Sequence, residues 1–126
     1  MNNNSGLKKK ILAVDDEVDS LKIVKRILEA NGYEVITAFD GEEALVKIKS
    51  ENPDVVVLDV MLPKLNGEEV CKSVRSDPVF SKLPVIMLTG KVSDADRIVG
   101  RVIGADIYIT KPFNLEELIG AIKKLA

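Results

Sequence analysis

The sequence predicts an α/β domain in which helices cover both faces of a doubly wound, five-stranded parallel sheet. Apolar strand-like runs alternate with amphipathic helix-like stretches along the whole chain. Two of the runs, residues 11–14 and 55–58, are apolar throughout, as strands buried on both faces require. The chain has 126 residues, of which 46% are hydrophobic and 30% are charged, and this composition suits one globular domain.

The strands are predicted from short aliphatic and β-branched runs bounded by polar or turn residues. They cover residues 9–14, 34–37, 54–58, 84–88 and 106–109. The second run is more polar than the first and third, which favours a position at the edge of the sheet.

The helices are predicted from apolar residues at helical spacing and from capping residues. They cover residues 18–31, 41–50, 67–76, 93–103 and 115–125. In the first helix four residues recur at helical spacing and should face the sheet: Leu21, Val24, Ile27 and Leu28. Asn31-Gly32 should end this helix as a left-handed cap. Asp40 and Asn114 occupy N-cap positions, and a Glu follows Asn114 three residues later as in a capping box.

Five βα units of this size resemble the flavodoxin-like fold, which implies the strand order 2-1-3-4-5. Residues 8–126 should form this single domain. The Asn-rich segment of residues 1–7 is predicted to be a flexible N-terminal extension.

Composition excludes several functional classes. A formal net charge of -2 gives no reason to expect nucleic-acid or membrane binding by this domain. The chain has no histidine, which removes Ser-His-Asp hydrolysis, histidine-ligated zinc and a phosphohistidine carrier. A single cysteine, Cys71, fits a reducing compartment, and no apolar stretch has the length of a membrane span. The sequence therefore predicts a cytoplasmic protein.

Polar side chains follow four of the predicted strands at the points where those strands end. Asp15 and Asp16 follow the first strand, Asp59 the third, Thr89 the fourth and Lys111 the fifth. Because the carboxyl ends of parallel strands line one crevice, these side chains should lie close together. Carboxylates beside a lysine and a threonine suit a divalent cation and a phosphoryl group.

Each of these residue types also has a purely structural interpretation. Acidic residues at 15–17 can start a helix, Lys111 can be a surface lysine, and Thr89 can be a β-branched strand residue. Like charges about 4 Å apart, however, repel by roughly 1 kcal/mol in water and about 4 near a protein surface, and Mg²⁺ relieves that repulsion. Asp59 is then the candidate nucleophile, since a carboxylate can accept a phosphoryl group as an acyl phosphate.

Four segments together resemble the receiver domain of two-component response regulators, over residues from about 9 to 125. They read Ile-Leu-Ala-Val-Asp-Asp-Glu, Pro-Asp-Val-Val-Val-Leu-Asp-Val-Met-Leu-Pro, Pro-Val-Ile-Met-Leu-Thr-Gly and Gly-Ala-Asp-Ile-Tyr-Ile-Thr-Lys-Pro-Phe. Each segment is moderately specific, and their order and spacing make the resemblance very specific. It implies a phosphoacceptor signalling domain that assists its own phosphorylation and dephosphorylation and is not otherwise an enzyme.

The resemblance also implies roles for individual residues. Asp59 would accept a phosphoryl group from a histidine kinase or histidine phosphotransfer protein in a Mg²⁺-dependent reaction. Asp16, Asp59 and the backbone carbonyl of Met61 would bind the Mg²⁺ directly, and Asp15 would act largely through water. Lys111 would pair with the phosphate, and the peptide bond that follows it would be cis.

By the same resemblance Thr89 and Tyr108 would form a switch pair. Phosphorylation would alter the face made by the fourth helix, the fifth strand and the fifth helix. Arg97 and Arg101 lie four residues apart on the fourth predicted helix, so they share one side of it. This face would control an output partner or domain.

Three positions depart from the family pattern. Gly90 stands where Ala or Ser is common, Ile107 replaces a common Asp, and Glu116 replaces an Arg of one transcription-factor subfamily. Members of that subfamily dimerise through salt bridges that use the last two positions. We therefore do not expect that dimer, which weakens the case for a winged-helix output domain.

Other functional classes fit the sequence less well. The usual signature of a Mg²⁺-dependent phosphohydrolase with an aspartyl nucleophile places the nucleophile and the acid two residues apart after the first strand. Here the residue two after Asp15 is Glu17, and no cap insertion is present to enclose a substrate. A flavin- or nucleotide-binding domain would need a glycine-rich phosphate loop, which is missing. A receiver-like interaction module that works without phosphorylation is the remaining alternative.

Overall fold

The computed structural model describes residues 8–90 and 104–126. One parallel sheet has the order β2-β1-β3-β4-β5, which confirms the predicted fold and strand order. Its strands are β1 (Lys10–Val14), β2 (Glu34–Ala38), β3 (Val55–Asp59), β4 (Val85–Thr89) and β5 (Ile107–Thr110). The more polar β2 lies at one edge, as predicted.

Four helices lie in the described part of the chain. They are α1 (Val18–Ala30), α2 (Gly41–Glu51), α3 (Gly67–Ser76) and a C-terminal helix (Leu115–Leu125). The predicted helix over residues 93–103 and the predicted N-terminal extension lie outside the described residues. None of the described helices is long and apolar enough to cross a membrane.

The last three strands each begin and end one residue later than the apolar pattern predicts. Pro84 lies before β4 because it has no N–H to contribute to a sheet ladder. Asp54 and Asp106 lie before β3 and β5, and each uses its carboxylate to bind an amide of the neighbouring strand. As a result, Asp59 and Thr89 are the last residues of their strands and not the first residues of loops.

The core has one layer on each face of the sheet. Alternate strand residues pack against α2 and α3 on one face and against α1 and the C-terminal helix on the other, as the period of two requires. All five residues of β3 are buried. The phosphoacceptor candidate therefore ends the most completely buried strand of the sheet.

Side chains define the helix ends largely as predicted. The carboxylate of Asp40 and the side-chain oxygen of Asn114 each accept a hydrogen bond from the backbone N–H three residues later, at 2.8 and 2.7 Å. Gly32 has a φ of 92°, which confirms the left-handed end of α1. Asn66 and Glu69 form a full capping box at the start of α3, which the sequence analysis did not identify.

Candidate functional site

The strand register brings the predicted site residues to one edge of the sheet. Val14 of β1 pairs with Leu58 of β3, so the residues that follow them, Asp15 and Asp59, lie side by side. At the other side of β3, Asp59 pairs with Leu88 of β4. The structure thus assembles the crevice that the sequence predicts at the carboxyl ends of the strands.

Asp15 and Asp59 are the two buried charged residues of the described part of the chain. Their exposed fractions are 8% and 7%. One oxygen of each carboxylate is bound by a nearby backbone amide: Asp15 Oδ1 accepts from Glu17 N–H at 2.9 Å, and Asp59 Oδ1 accepts from Met61 N–H at 3.0 Å. These bonds orient both carboxylates and leave a second oxygen of each for other partners.

Lys111 supplies the partner for those second oxygens. Its ammonium donates a hydrogen bond to Asp59 Oδ2 at 2.5 Å and lies 3.9 Å from Asp15 Oδ2. Its backbone N–H donates to the carbonyl of Thr89 at 2.6 Å, which holds the end of β5 against the end of β4. The peptide bond from Lys111 to Pro112 is cis, as the resemblance implies.

The two carboxylates and the ammonium perturb one another. Burial raises the pKa of Asp15, and the charges of Asp59 and Asp16 add to this, although the Glu17 amide and the Lys111 charge act in the opposite direction. Burial lowers the pKa of Lys111, but the hydrogen bond and charge of Asp59, together with Asp15, outweigh burial and leave that pKa raised. An internal cation thus partly neutralises two crowded acids.

Asp16 and Met61 lie at the exposed rim of this site. Met61 is 78% exposed, and Asp16 is exposed as well. Among the residues that the structure describes, no group of three or more acidic or cysteine side chains is arranged to hold a metal ion. Mg²⁺, however, often uses only one or two carboxylates with carbonyl or water oxygens. The donors here are all hard oxygens, so the residues present fit Mg²⁺.

Thr89 and Tyr108 lie on the same face of the sheet. Met87 pairs with Tyr108 across β4 and β5, and Thr89 is two residues beyond Met87, so all three side chains point the same way. Tyr108 is half-buried against the core layer of α2 and α3. Burial raises the pKa of its phenol, and Cys71 and Glu68 contribute further.

The family is decided by a comparison with known sequences. The profile described as response regulator receiver domain matches residues 11–123. The chain belongs to this family. Receiver domains are signalling domains of two-component systems, and neither the phosphohydrolase nor the phosphorylation-independent module is favoured by this match.

Individual relatives agree with the family assignment. The alkaline phosphatase synthesis transcriptional regulatory protein PhoP of Bacillus subtilis is 49% identical over 119 residues, covering 94% of this chain and 49% of PhoP. The protein PilG of Pseudomonas aeruginosa is 40% identical over 114 residues, covering 90% of this chain and 84% of PilG. The receiver domain thus spans about half the length of PhoP but most of PilG.

Solved structures agree on the fold. The chemotaxis protein CheY4 of Vibrio cholerae superimposes with a TM-score of 0.89 at 37% identity, covering 94% of this chain and 99% of CheY4. The receiver domain of the Francisella response regulator 1452 has the same TM-score at 38% identity, with coverages of 94% and 96%. The likeness therefore includes nearly the whole of each compared chain.

Two glycines that the sequence analysis did not assign a role allow this receiver domain to hold its Asp59 loop closely. A Cβ atom at Gly67 would lie 2.5 Å from the carbonyl oxygen of Asp59, and one at Gly41 would lie 2.0 Å from the carbonyl oxygen of Leu65. The Gly67 N–H also donates to the Val60 carbonyl at 2.9 Å. The available signal was a glycine directly after each N-cap residue, at positions 41 and 67.

An apolar cavity of about 550 Å³ in the receiver domain opens beside Asp15. Asp15 and Lys111 are among the residues that line it. The other lining residues are mainly apolar ones from α1, β4, the loop after β5 and the first residue of the C-terminal helix: Ile23, Val24, Leu88, Pro112, Phe113 and Leu115. Ile23 is 58% exposed at its rim.

Proposed function

We propose that this receiver domain accepts a phosphoryl group on Asp59 from a histidine kinase or a histidine phosphotransfer protein. The observation that carries the proposal is the environment of the Asp59 carboxylate. It is buried at the end of a fully buried strand, one oxygen accepts from the Met61 amide, and the other contacts the Lys111 ammonium. The adjacent apolar cavity supports docking of a protein donor on that side.

In the proposed reaction a carboxylate oxygen of Asp59 forms a bond to phosphorus as the bond from phosphorus to the donor nitrogen breaks. The transfer needs charge neutralisation and in-line positioning more than covalent help. The Lys111 ammonium already contacts Asp59 and would form an ion pair with the phosphoryl oxygens after transfer. The Thr89 hydroxyl can donate a hydrogen bond to another of those oxygens.

We assign Mg²⁺ to Asp16, Asp59 and the carbonyl of Met61, with Asp15 acting through water. When bound, Mg²⁺ supplies positive charge for the phosphoryl oxygens and for the crowded carboxylates. The backbone amides on Asp15 and Asp59 hold those side chains in place for it. The reaction leaves the domain phosphorylated, so the domain is a phosphoacceptor that assists its own phosphorylation and dephosphorylation, and not an enzyme with a separate substrate.

We further propose that phosphorylation is reported through Thr89 and Tyr108. An acyl phosphate adds charge and strong acceptors that draw Thr89 inward, and Tyr108 follows on the same face of the sheet. The output surface would combine β5, the C-terminal helix and the segment with Arg97 and Arg101, which lies outside the described residues. A cytoplasmic effector protein or domain would bind there, and this domain itself would bind neither nucleic acid nor membrane.

Intact-mass measurement after incubation with Mg²⁺ and a small acyl phosphate tests the phosphoacceptor. The wild-type protein should gain one phosphoryl group, whereas Asp59→Asn should gain none. Asp77→Asn, at the C-cap of α3, is the matched control and should be labelled like wild type. Equal labelling of wild type and Asp59→Asn would exclude Asp59, and full labelling with a chelator present would exclude the metal.

A further inference from the structure

Two aspartates make the same pair of bonds to a neighbouring strand. Asp54, just before β3, donates its N–H to the Lys10 carbonyl at 2.7 Å, and its Oδ2 accepts from the Lys10 N–H at 2.7 Å. Asp106, just before β5, donates its N–H to the Val85 carbonyl at 2.9 Å, and its Oδ2 accepts from the Val85 N–H at 2.8 Å. We call each of these reciprocal pairs a register clamp.

A register clamp specifies something that hydrophobic burial does not. In a sheet the side-chain period is two, so a slip of two residues returns every side chain to its original face while moving the strand by about 7 Å. Burial opposes a slip of one residue far more than a slip of two. In each clamp the aspartate and the first residue of the adjacent strand donate one hydrogen bond to each other. A slip of either strand breaks both bonds.

The second clamp is reinforced from α3. Arg75 donates one guanidinium N–H to the same Oδ2 of Asp106 at 2.9 Å. Other guanidinium N–H groups reach the carbonyls of Gly104 and Leu83 at 2.8 and 2.7 Å. In the described part of the chain β5 pairs with β4 alone, so no second strand there helps to fix its register. Arg75 supplies that additional constraint.

The clamped strand pairs are the two that carry the functional site at their opposite ends. The pair β1 and β3 leads to Asp15 and Asp59, and the pair β4 and β5 leads to Thr89 and Lys111. Four residues lie between Asp54 and Asp59 and four between Asp106 and Lys111, so each clamp is about 16 Å from the site. At the end of the second pair that is remote from its clamp, the Lys111 N–H donates to the Thr89 carbonyl.

We propose that Asp54 and Asp106 are positioning residues, each for one half of the site. Asp54 aligns Asp15 with Asp59 and thereby sets the affinity for Mg²⁺. Asp106 places Lys111 on Asp59 and thereby sets the rate of phosphoryl transfer. The effects on Mg²⁺ affinity and on the rate of phosphoryl transfer rest on the proposed function. The fixing of strand register rests on the hydrogen bonds alone.

The test compares three alanine variants whose folding is checked by circular dichroism: Asp54→Ala, Asp106→Ala and the control Asp77→Ala. Asp77 accepts from the Val79 N–H at 2.8 Å, so the control loses a similar bond that joins no strands. Calorimetry gives the Kd for Mg²⁺, and intact mass gives the phosphorylation rate at saturating Mg²⁺ with a small acyl phosphate. Hydrogen exchange follows the Lys111 amide.

A crossed pattern is expected. Asp106→Ala should slow phosphorylation by about tenfold to 100-fold, the scale of a misplacement of about 1 Å, and should leave the Kd for Mg²⁺ unchanged. It should also speed exchange at Lys111. Asp54→Ala should raise the Kd for Mg²⁺ severalfold. If both variants behave like Asp77→Ala, or if each changes both quantities by the same factor, the proposal is overturned.

Two further arms keep the test decisive. If Asp106→Ala does not fold, Asp106→Asn replaces it, because a neutral amide oxygen accepts a weaker hydrogen bond from the Val85 N–H than a carboxylate does and the charge partner of Arg75 is lost. This variant should be phosphorylated more slowly with unchanged Mg²⁺ affinity, and a wild-type rate would refute the role of Asp106. If wild type is not phosphorylated, the proposed function fails, and exchange at Lys111 then decides the register clamp by itself.

Discussion

The two strand pairs that meet at the site differ in how completely the core encloses them. The strands β1 and β3 lie inside the sheet, and every residue of β3 is buried. The strands β4 and β5 lie toward one edge, and only Ile109 of the four residues in β5 is buried. Carboxylates thus stand on the enclosed pair, whereas Lys111 and Tyr108 belong to the more open one.

This difference suits the two tasks of a receiver domain. A nucleophile and its metal ligands need fixed geometry, because small misplacements cost rate. An element that reports phosphorylation needs a second accessible arrangement, and such elements come from the less stable parts of a fold. Half-burial of Tyr108 and the edge position of β5 meet that second requirement.

The largest expected effect comes from truncating the core of each strand pair. Leu58→Ala in β3 should lower the free energy of unfolding by about 3 kcal/mol, because the side chain is fully buried. Ile107→Ala in β5 should cost roughly 1.5 kcal/mol, because that side chain is only half-buried. Urea unfolding at pH 7 gives both values. Equal costs would mean that β5 is held as firmly as β3, and the contrast drawn above would fail.

Much of this contrast was visible in the sequence. Runs that are apolar throughout predicted β1 and β3 as central strands. The positions of polar residues at strand ends predicted that Lys111 and Asp59 lie close together. Both predictions depend on local patterns and one topological rule. The capping oxygen of Asp40 was predicted for the same reason: its partner amide lies three residues away.

The features that the sequence did not predict depend on contacts between distant segments. The sequence analysis assigned Asp54 and Asp106 to strands. No local pattern indicates that their carboxylates bind amides 44 and 21 residues away. The role of Gly67 depends on how closely α3 approaches the Asp59 carbonyl. Lys64 has a φ of 68°, a conformation that lysine seldom adopts and that its residue type did not indicate.

A smaller effect should come from the charge of Asp15 on the enclosed pair. Asp15→Asn keeps an oxygen for the Glu17 amide but removes a carboxylate whose pKa burial has raised. The metal-free variant should be more stable than wild type at pH 7 by about 1 kcal/mol, the lower end of the repulsion between like charges at close range. Thermal unfolding with a chelator present measures the difference.

The pH dependence of that difference has a definite sign. Because the folded-state pKa of Asp15 lies above its ordinary value of 3.8, the folded protein takes up the proton before the unfolded chain does. Wild type therefore gains stability relative to Asp15→Asn as the pH falls through the folded-state pKa. The gap should close toward pH 4, and a gap that is constant from pH 7 to 4 would assign the effect to something other than the charge.

The smallest effect is expected from a substitution in the C-terminal helix. It tests whether β5 opens locally by itself or together with that helix. Gly120 lies in the exposed middle of the C-terminal helix, and a Cβ added there would meet no atom within 4 Å. Gly120→Ala should raise the free energy of unfolding by about 0.5–1 kcal/mol, because alanine has the higher helix propensity. Hydrogen exchange should slow in the helix but not at Ile109 and Tyr108, if β5 opens because it is an edge strand. Equal slowing in both would show that strand and helix open as one unit.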